Sequence, residues 1–220
     1  MDVRDLFGEV RREVRGAPNP RMAYALERAA REFCSETRLL RRSFQFTCNP
    51  SQANPQQYPV SAPANEQAFA LKHAQIQTLP ITNPAQWLPM QIQYSEFFNP
   101  AIGPTTPWGI CYIPYTMVAL NCNPDQAYPV KVELCTQNVV GSNYIPDEIG
   151  VRYARALGFG ALEWLFRQKG NPWYDPNEAD KMLVKFNQEI VKGRGEAMFD
   201  FSPGVHMGVR PGFMRRGWGR

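Results

Sequence analysis

The stretch from Phe44 to Ile145 decides most of what this chain can become. It holds thirteen of the chain's twenty prolines, and its only charged residues are Glu66, Lys72, Glu96, Asp125, Lys131 and Glu133. Proline removes a backbone donor and its ring collides with the preceding turn, so this spacing leaves no room for a helix of any length. The segments between the prolines are β-branched, aromatic and alternating. "SFQFTC" sets Phe44, Phe46 and Cys48 against polar partners, "YPVKVELC" sets Val130, Val132 and Leu134 against Lys131, Glu133 and Cys135, and "WGICYIPYTMVALNC" is of the same kind. The pattern predicts a β-rich region of about five to seven strands. So few charges over such a length leave strand edges suited to meeting other protein.

Helical signals flank this region. Val3, Leu6, Phe7, Val10 and Val14 make one apolar face over residues 2–15, and "GAPNP" interrupts it. Asn19 and Pro20 then read as cap and first turn of a second helix, whose face is Met22, Leu26, Ala29, Ala30 and Phe33. After the β-rich region, Pro146, Asp147 and Glu148 open a third helix that carries Ile149, Tyr153, Ala156, Gly160 and Trp164, closed by Lys169-Gly170. Asp175 and Glu178 open a fourth around Pro176, with Met182, Leu183, Phe186 and Ile190 inward and Gly193 and Gly195 ending it.

Helices at both ends of a chain most simply pack together. The expected fold is therefore α+β, with a small bundle of two N-terminal and two C-terminal helices (1–42 and 145–195), a β-rich insertion (43–144) and an extended tail (196–220). A chain of 220 residues has the length for one such domain.

The net charge of +4 has a location. Phe201–Arg220 contains four arginines and no acid, so the rest of the chain is formally neutral. That argues against a broad basic face. Five cysteines, odd in number and without a CxxC pair, fit neither a disulfide framework nor a zinc site and suit a reduced, cytosolic folding environment. No leader-like apolar segment opens the chain and no run is long enough for a membrane span.

Catalytic groups are sparse. His73 and His206 are the only histidines, and either could in principle activate a cysteine. His73 reads as a strand-surface residue and the cysteines as apolar fillers, so no catalytic, metal or cofactor site is assigned. The carboxylate pairs Asp2/Asp5, Asp147/Glu148 and Glu178/Asp180 sit in first helical turns, where capping explains them. "GFGAL" at Gly158–Leu162 lacks the context of a phosphate loop and reads as a close helix contact. Arg38, Arg41 and Arg42 could touch nucleic acid, but with Glu32 and Glu36 close by they read first as a solvated or salt-bridged patch.

The tail is different. Phe201, Phe213 and Trp218 alternate with Arg210, Arg215 and Arg216 among five glycines, a composition that cannot hold a helix and is rich in the side chains found where surfaces meet. We read these six residues as partner-binding. Aromatic-arginine-glycine segments also stack on bases, which makes a nucleic-acid accessory protein the alternative. Val205, Met207, Val209 and Met214 favour a protein groove.

With these segments in order, "LNCNPDQAYPVKVELCTQN" followed by "IPDEIGVRYARALGFGALEWLFRQKGNPWYDPNEADKMLVKFNQEI" resembles the C-terminal half of head-to-tail adaptor (connector) proteins of tailed bacteriophages. "LFGEVRREVRGAPNPRMAYALERAAREFCSET" is similar to the family's opening helix pair. The resemblance covers roughly residues 3–192 and is weak across 49–110. It rests on the order of packing and turn signals, none of them diagnostic alone. It implies a virion structural protein without enzymatic activity, assembled in the host cytoplasm as a ring of twelve copies. The ring would bind the portal protein, receive a tail protein below, and continue the DNA channel without sequence-specific contact. A nucleic-acid accessory protein and a thiol hydrolase are the competing classes.

Overall fold

The structure, a computed structural model, describes residues 1–50, 57–78, 87–93, 104–113 and 117–198. A 3-10 turn at Val3–Leu6 runs into helix α1 (Phe7–Arg11), and helix α2 (Asn19–Thr37) follows. Eight strands come next among the described residues: β1 (Arg41–Cys48), β2 (Gln57–Pro59), β3 (Glu66–Gln77), β4 (Trp87–Pro89), β5 (Gln91–Gln93), β6 (Gly109–Ile113), β7 (Met117–Leu120) and β8 (Tyr128–Asn138). The chain returns to helix in α3 (Asp147–Gly150), α4 (Ala154–Phe166) and α5 (Pro176–Met198).

The strands form two four-stranded sheets, ordered β1-β8-β3-β4 and β2-β7-β6-β5. The first is antiparallel throughout, and the second has one parallel pair, β5 with β6. The alternation read from the sequence sets the register: Val130, Val132 and Leu134 of β8 point inward and share one apolar core with Ile110, Val118 and Leu120 of the second sheet. Phe46 stacks on Tyr58 at its margin, ring centroids 4.4 Å apart. A second core lies among the helices, built on Leu26, Phe33, Leu157, Leu165 and Phe186.

The expected bundle of two N-terminal and two C-terminal helices with a projecting insertion is not what is seen. The molecule is α+β with five α-helices, and two sheets supply much of its core. The physical reason is that α2 lies against β8 instead of closing only on other helices. Asn138 Nδ2 at the end of β8 donates to the Glu27 carbonyl at 3.1 Å, and Thr136 N donates to Leu40 O at 3.0 Å. The sheet is thereby built into the helical layer.

Several boundaries also move. The stretch read as one helix from Asp147 breaks at Val151–Tyr153, and Gly150, the last residue of α3, packs closely against the Met1 side chain. Pro18, not Asn19, is the residue before α2; Asn19 Oδ1 instead accepts from Arg11 at 2.8 Å. Gly193 does not end the last helix, which continues to Met198. A Cβ at Gly193 would lie 2.7 Å from Thr37 Cγ2 and 3.1 Å from the Phe33 ring, so this glycine lets α5 cross the end of α2. Eight described strands also exceed the number expected, since three-residue strands such as β2, β4 and β5 are too short to show alternation.

Candidate functional site

The six tail residues read as partner-binding, Phe201, Arg210, Phe213, Arg215, Arg216 and Trp218, lie outside the described residues. What the structure places is the surface that leads to them. Helix α5 turns Ala179, Met182, Phe186, Ile190, Gly193 and Ala197 inward, and spends its opposite face on solvent. On that outer face Val184, Val191 and Met198 are 56%, 65% and 83% exposed. They recur every seven residues, which on an α-helix keeps them in one row with a drift of only about 20° per step. A row of apolar side chains, flanked by Lys181, Lys185 and Lys192, runs to the last described residue before the tail. A second apolar exposure, Leu88, Ile92 and Trp108, belongs to β4, β5 and the segment just before β6, in the charge-poor region.

The arginine patch after α2 separates in the fold. Arg42 is salt-bridged, as the simpler reading held, but to other partners than Glu32 or Glu36. Its guanidinium donates to Glu66, whose side chain is nearly fully buried (2% exposed), at 2.6 and 2.9 Å, and to Glu148 at 2.9 Å. Thr136 Oγ1 donates to the same Glu66 carboxylate at 2.9 Å. The hydrogen bond from Arg42 holds the Glu148 carboxyl below its ordinary range, and the bond to Glu66 raises Arg42 further. Glu36 pairs with Arg194 of α5. Arg41 donates to main-chain oxygens, Arg38 O at 3.2 Å and Ala197 O at 2.5 Å. Nothing in the sequence separates Arg42 from its neighbours, because its partners are 24 and 106 residues away.

The five thiols are free and buried. Burial pushes Cys34 up to about 12 and Cys122 up to about 11, and it raises Cys48, Cys111 and Cys135 as well. A nucleophilic cysteine needs the opposite shift. His73 is exposed on β3, paired in register with Glu133, while His206 lies outside the described residues. Among the described residues no group of His, Cys, Asp and Glu could hold a metal ion. No described helix is long and apolar enough to cross a membrane.

The carboxylates of the helix starts act as caps in part. Asp2 accepts from Arg4 N at 2.9 Å, and Asp175 accepts from Asn177 N and Glu178 N at 3.0 and 3.1 Å. Glu178 does not reach back to complete a box but pairs with Lys181 at 2.6 Å. The glycines of "GFGAL" are close-contact positions: a Cβ at Gly158 would meet Glu9 at 3.0 Å, and one at Gly160 would meet Ala29 at 2.9 Å. Compared with models of known protein families and with curated proteins, the chain matches none.

Proposed function

We propose that this protein is a structural adaptor subunit of a tailed-phage virion, joining neighbouring copies into a ring beneath the portal at the head-tail junction. The observation that carries the reading is the outer row of α5. An apolar stripe spaced by sevens, on the helix from which an aromatic and arginine tail departs, suits contact with another protein surface. A ring needs a heterologous contact, one surface of each subunit meeting a different surface of the next. Val184, Val191 and Met198 provide one such surface, and Leu88, Ile92 and Trp108, on β4, β5 and the segment before β6, are exposed apolar side chains available to another. The order of turn and helix signals along residues 3–192, which resembles the adaptor family, supports the same reading. In this role the tail crosses to the portal or to an adjacent copy, a tail protein binds below, and DNA passes through the ring without sequence-specific contact.

The raised pKa values of all five thiols weigh against the thiol-hydrolase alternative. Sedimentation and negative-stain imaging of the protein with and without purified portal test the proposal. Rings that form on portal or at high protein concentration are expected. A monomer indifferent to both overturns it, and salt-sensitive oligonucleotide binding by that monomer would favour the nucleic-acid alternative.

A further inference from the structure

Among the described strands one long edge is open. β1 pairs with β8 on one side, residue for residue from Arg41↔Cys135 to Cys48↔Tyr128, and with no described strand on the other. Thr136 N donates to Leu40 O at the start of this ladder. In an antiparallel pair the bonded positions alternate, so the main-chain groups of Phe44 and Phe46 meet β8 and those of Ser43, Gln45 and Thr47 point outward. Among the described residues nothing hydrogen-bonds to these outward groups. Natural sheets blunt their edges by shortness, proline, charge or bulges. The other edge strands, β2, β4 and β5, have three residues each, and β2 and β4 end in proline. From Ser43 to Cys48 the β1 edge runs without charge, proline, glycine or a register shift.

The last helix delivers the chain to this edge. Arg41 and Lys72 both donate to Ala197 O, at 2.5 and 3.4 Å, so the end of α5 lies one arginine side chain from the first residue of β1. Met198 is the last described residue, and "FDFSPGVHMGVRPG" follows it. Residues 205–210 alternate Val205, Met207 and Val209 with His206, Gly208 and Arg210, and a Pro-Gly pair stands on each side, Pro203-Gly204 and Pro211-Gly212. An alternating run of this length between turn dipeptides is a strand signal. It matches the open length of β1, residues 43–48. From Met198 to Val205 the backbone can reach up to about 23–25 Å, enough to bring the run onto the edge.

We infer that residues 205–210 of this same chain add to β1 as a fifth strand of the first sheet. The outward N–H and C=O groups of Ser43, Gln45 and Thr47 supply a ladder that most extended segments could use, and the side chains select this one. Phe44 and Phe46 are half-buried against the core between the sheets. Val205, Met207 and Val209, at the same spacing of two, extend that apolar face. His206 and Arg210 then share the opposite face with Ser43, Gln45 and Thr47, whose side chains are exposed. Entry at the Arg41 end makes the added strand parallel to β1, so Pro211 falls beyond Cys48 and Phe213 and Trp218 stay free to reach a partner. The pairing is made within one subunit and stands whether or not copies form a ring.

Amide hydrogen exchange of the full-length protein, resolved by NMR at a concentration where sedimentation shows a monomer, tests this. The N–H groups of Ser43, Gln45 and Thr47 are expected to exchange at least about tenfold more slowly than in a variant carrying both His206→Pro and Met207→Pro. Successive N–H groups of a strand point to opposite sides, so one of the two prolines always falls in the ladder. Phe44 and Phe46, bonded to β8, should exchange alike in both proteins, which separates loss of the added strand from loss of the fold. Gly208→Thr, which favours an extended backbone, should slow the three outward amides further. Outward amides that exchange in the parent as fast as in the proline variant overturn the proposal. Protection that fades on further dilution also overturns it, since the added strand would then come from another copy.

Discussion

The Glu27 carboxylate of α2 accepts the backbone N–H of Gly141, 114 residues later, at 2.7 Å. Its other oxygen accepts from Asn143 N at 2.5 Å, and its own carbonyl accepts from Asn138. Gly141 and Asn143 both take positive φ, 88° and 52°, so the turn after β8 needs an outside acceptor to hold two amides aimed into the protein. A glutamate on an otherwise apolar helix face, 2% exposed, serves that need. Through it the sheet and the helical layer become one unit.

Glu27→Gln should destabilise the protein by about 1–3 kcal/mol, because it exchanges a charged acceptor of two amides for a neutral side chain with one acceptor oxygen. Gly141→Ala should cost about 1 kcal/mol or more for the left-handed backbone alone. Urea unfolding curves of both variants measure this, and an unchanged midpoint for Glu27→Gln would show that the turn is held by something else.

Arg42→Ala should be the more damaging change, by about 3–5 kcal/mol, since it leaves the Glu66 carboxylate buried without its cation. Glu148 adds a pH signature. Its folded pKa is depressed, so its contribution is present above the unfolded value, near 4.5, and is lost as pH falls through the lower folded value. Stability of the parent protein should therefore drop on acidification below about pH 4.5, and the Glu148→Gln variant should show a shallower drop over the same range. Parallel acid titrations of thermal stability would expose an error in this assignment if the two profiles coincided.

The thiols give the opposite sign. Folded pKa values raised above the ordinary 9.0 mean that the folded state keeps protons which the unfolded chain gives up. Stability is then full below pH 9.0 and declines as pH rises toward the folded values of about 11 and 12. In the native protein at pH 8, alkylation of Cys34, Cys48, Cys111, Cys122 and Cys135 should be slow and should accelerate together on unfolding. Rapid single-site labelling followed by mass mapping would identify an unexpected reactive thiol.

Gly160 should tolerate no side chain. A Cβ there would stand 2.9 Å from Ala29 Cβ and 3.0 Å from the Phe186 ring, so Gly160→Ala should cost about 1–3 kcal/mol through forced separation of α2, α4 and α5. Gly195, with nothing near its missing Cβ, is the matched control: Gly195→Ala should be neutral or slightly stabilising within about 1 kcal/mol.

The adaptor proposal makes its own prediction on α5 and the tail. Val191→Glu should change monomer stability by no more than about 0.5 kcal/mol, as exposed substitutions do, while abolishing ring formation. Removal of residues 201–220, or Phe213→Ala with Trp218→Ala, should leave a folded monomer that no longer stays on portal. Pull-down at two salt concentrations measures this, and full retention of the truncated form would remove the tail from the docking role.

Much of the local structure was legible in the residues themselves. Alternation in "SFQFTC" and "YPVKVELC" placed β1 and β8 with the right faces inward, and among the described residues the region between them holds no helix, as its proline spacing implied. Met182, Phe186 and Ile190 identified the buried side of α5. These are properties of periods two and 3.6, carried by neighbours in sequence. What the sequence could not display were contacts whose partners lie scores of residues apart: Glu27 with Gly141, Arg42 with Glu66 and Glu148, and the cations gathered at Ala197 O. Only tertiary packing decided that Gly193 is a crossing point and not a helix end, and that α2 rests on β8 so that helices and sheet cannot separate into a bundle and an insertion. A side chain's type and spacing fix which face it prefers to bury; the charge it meets and the surface it shares depend on how distant segments are brought together.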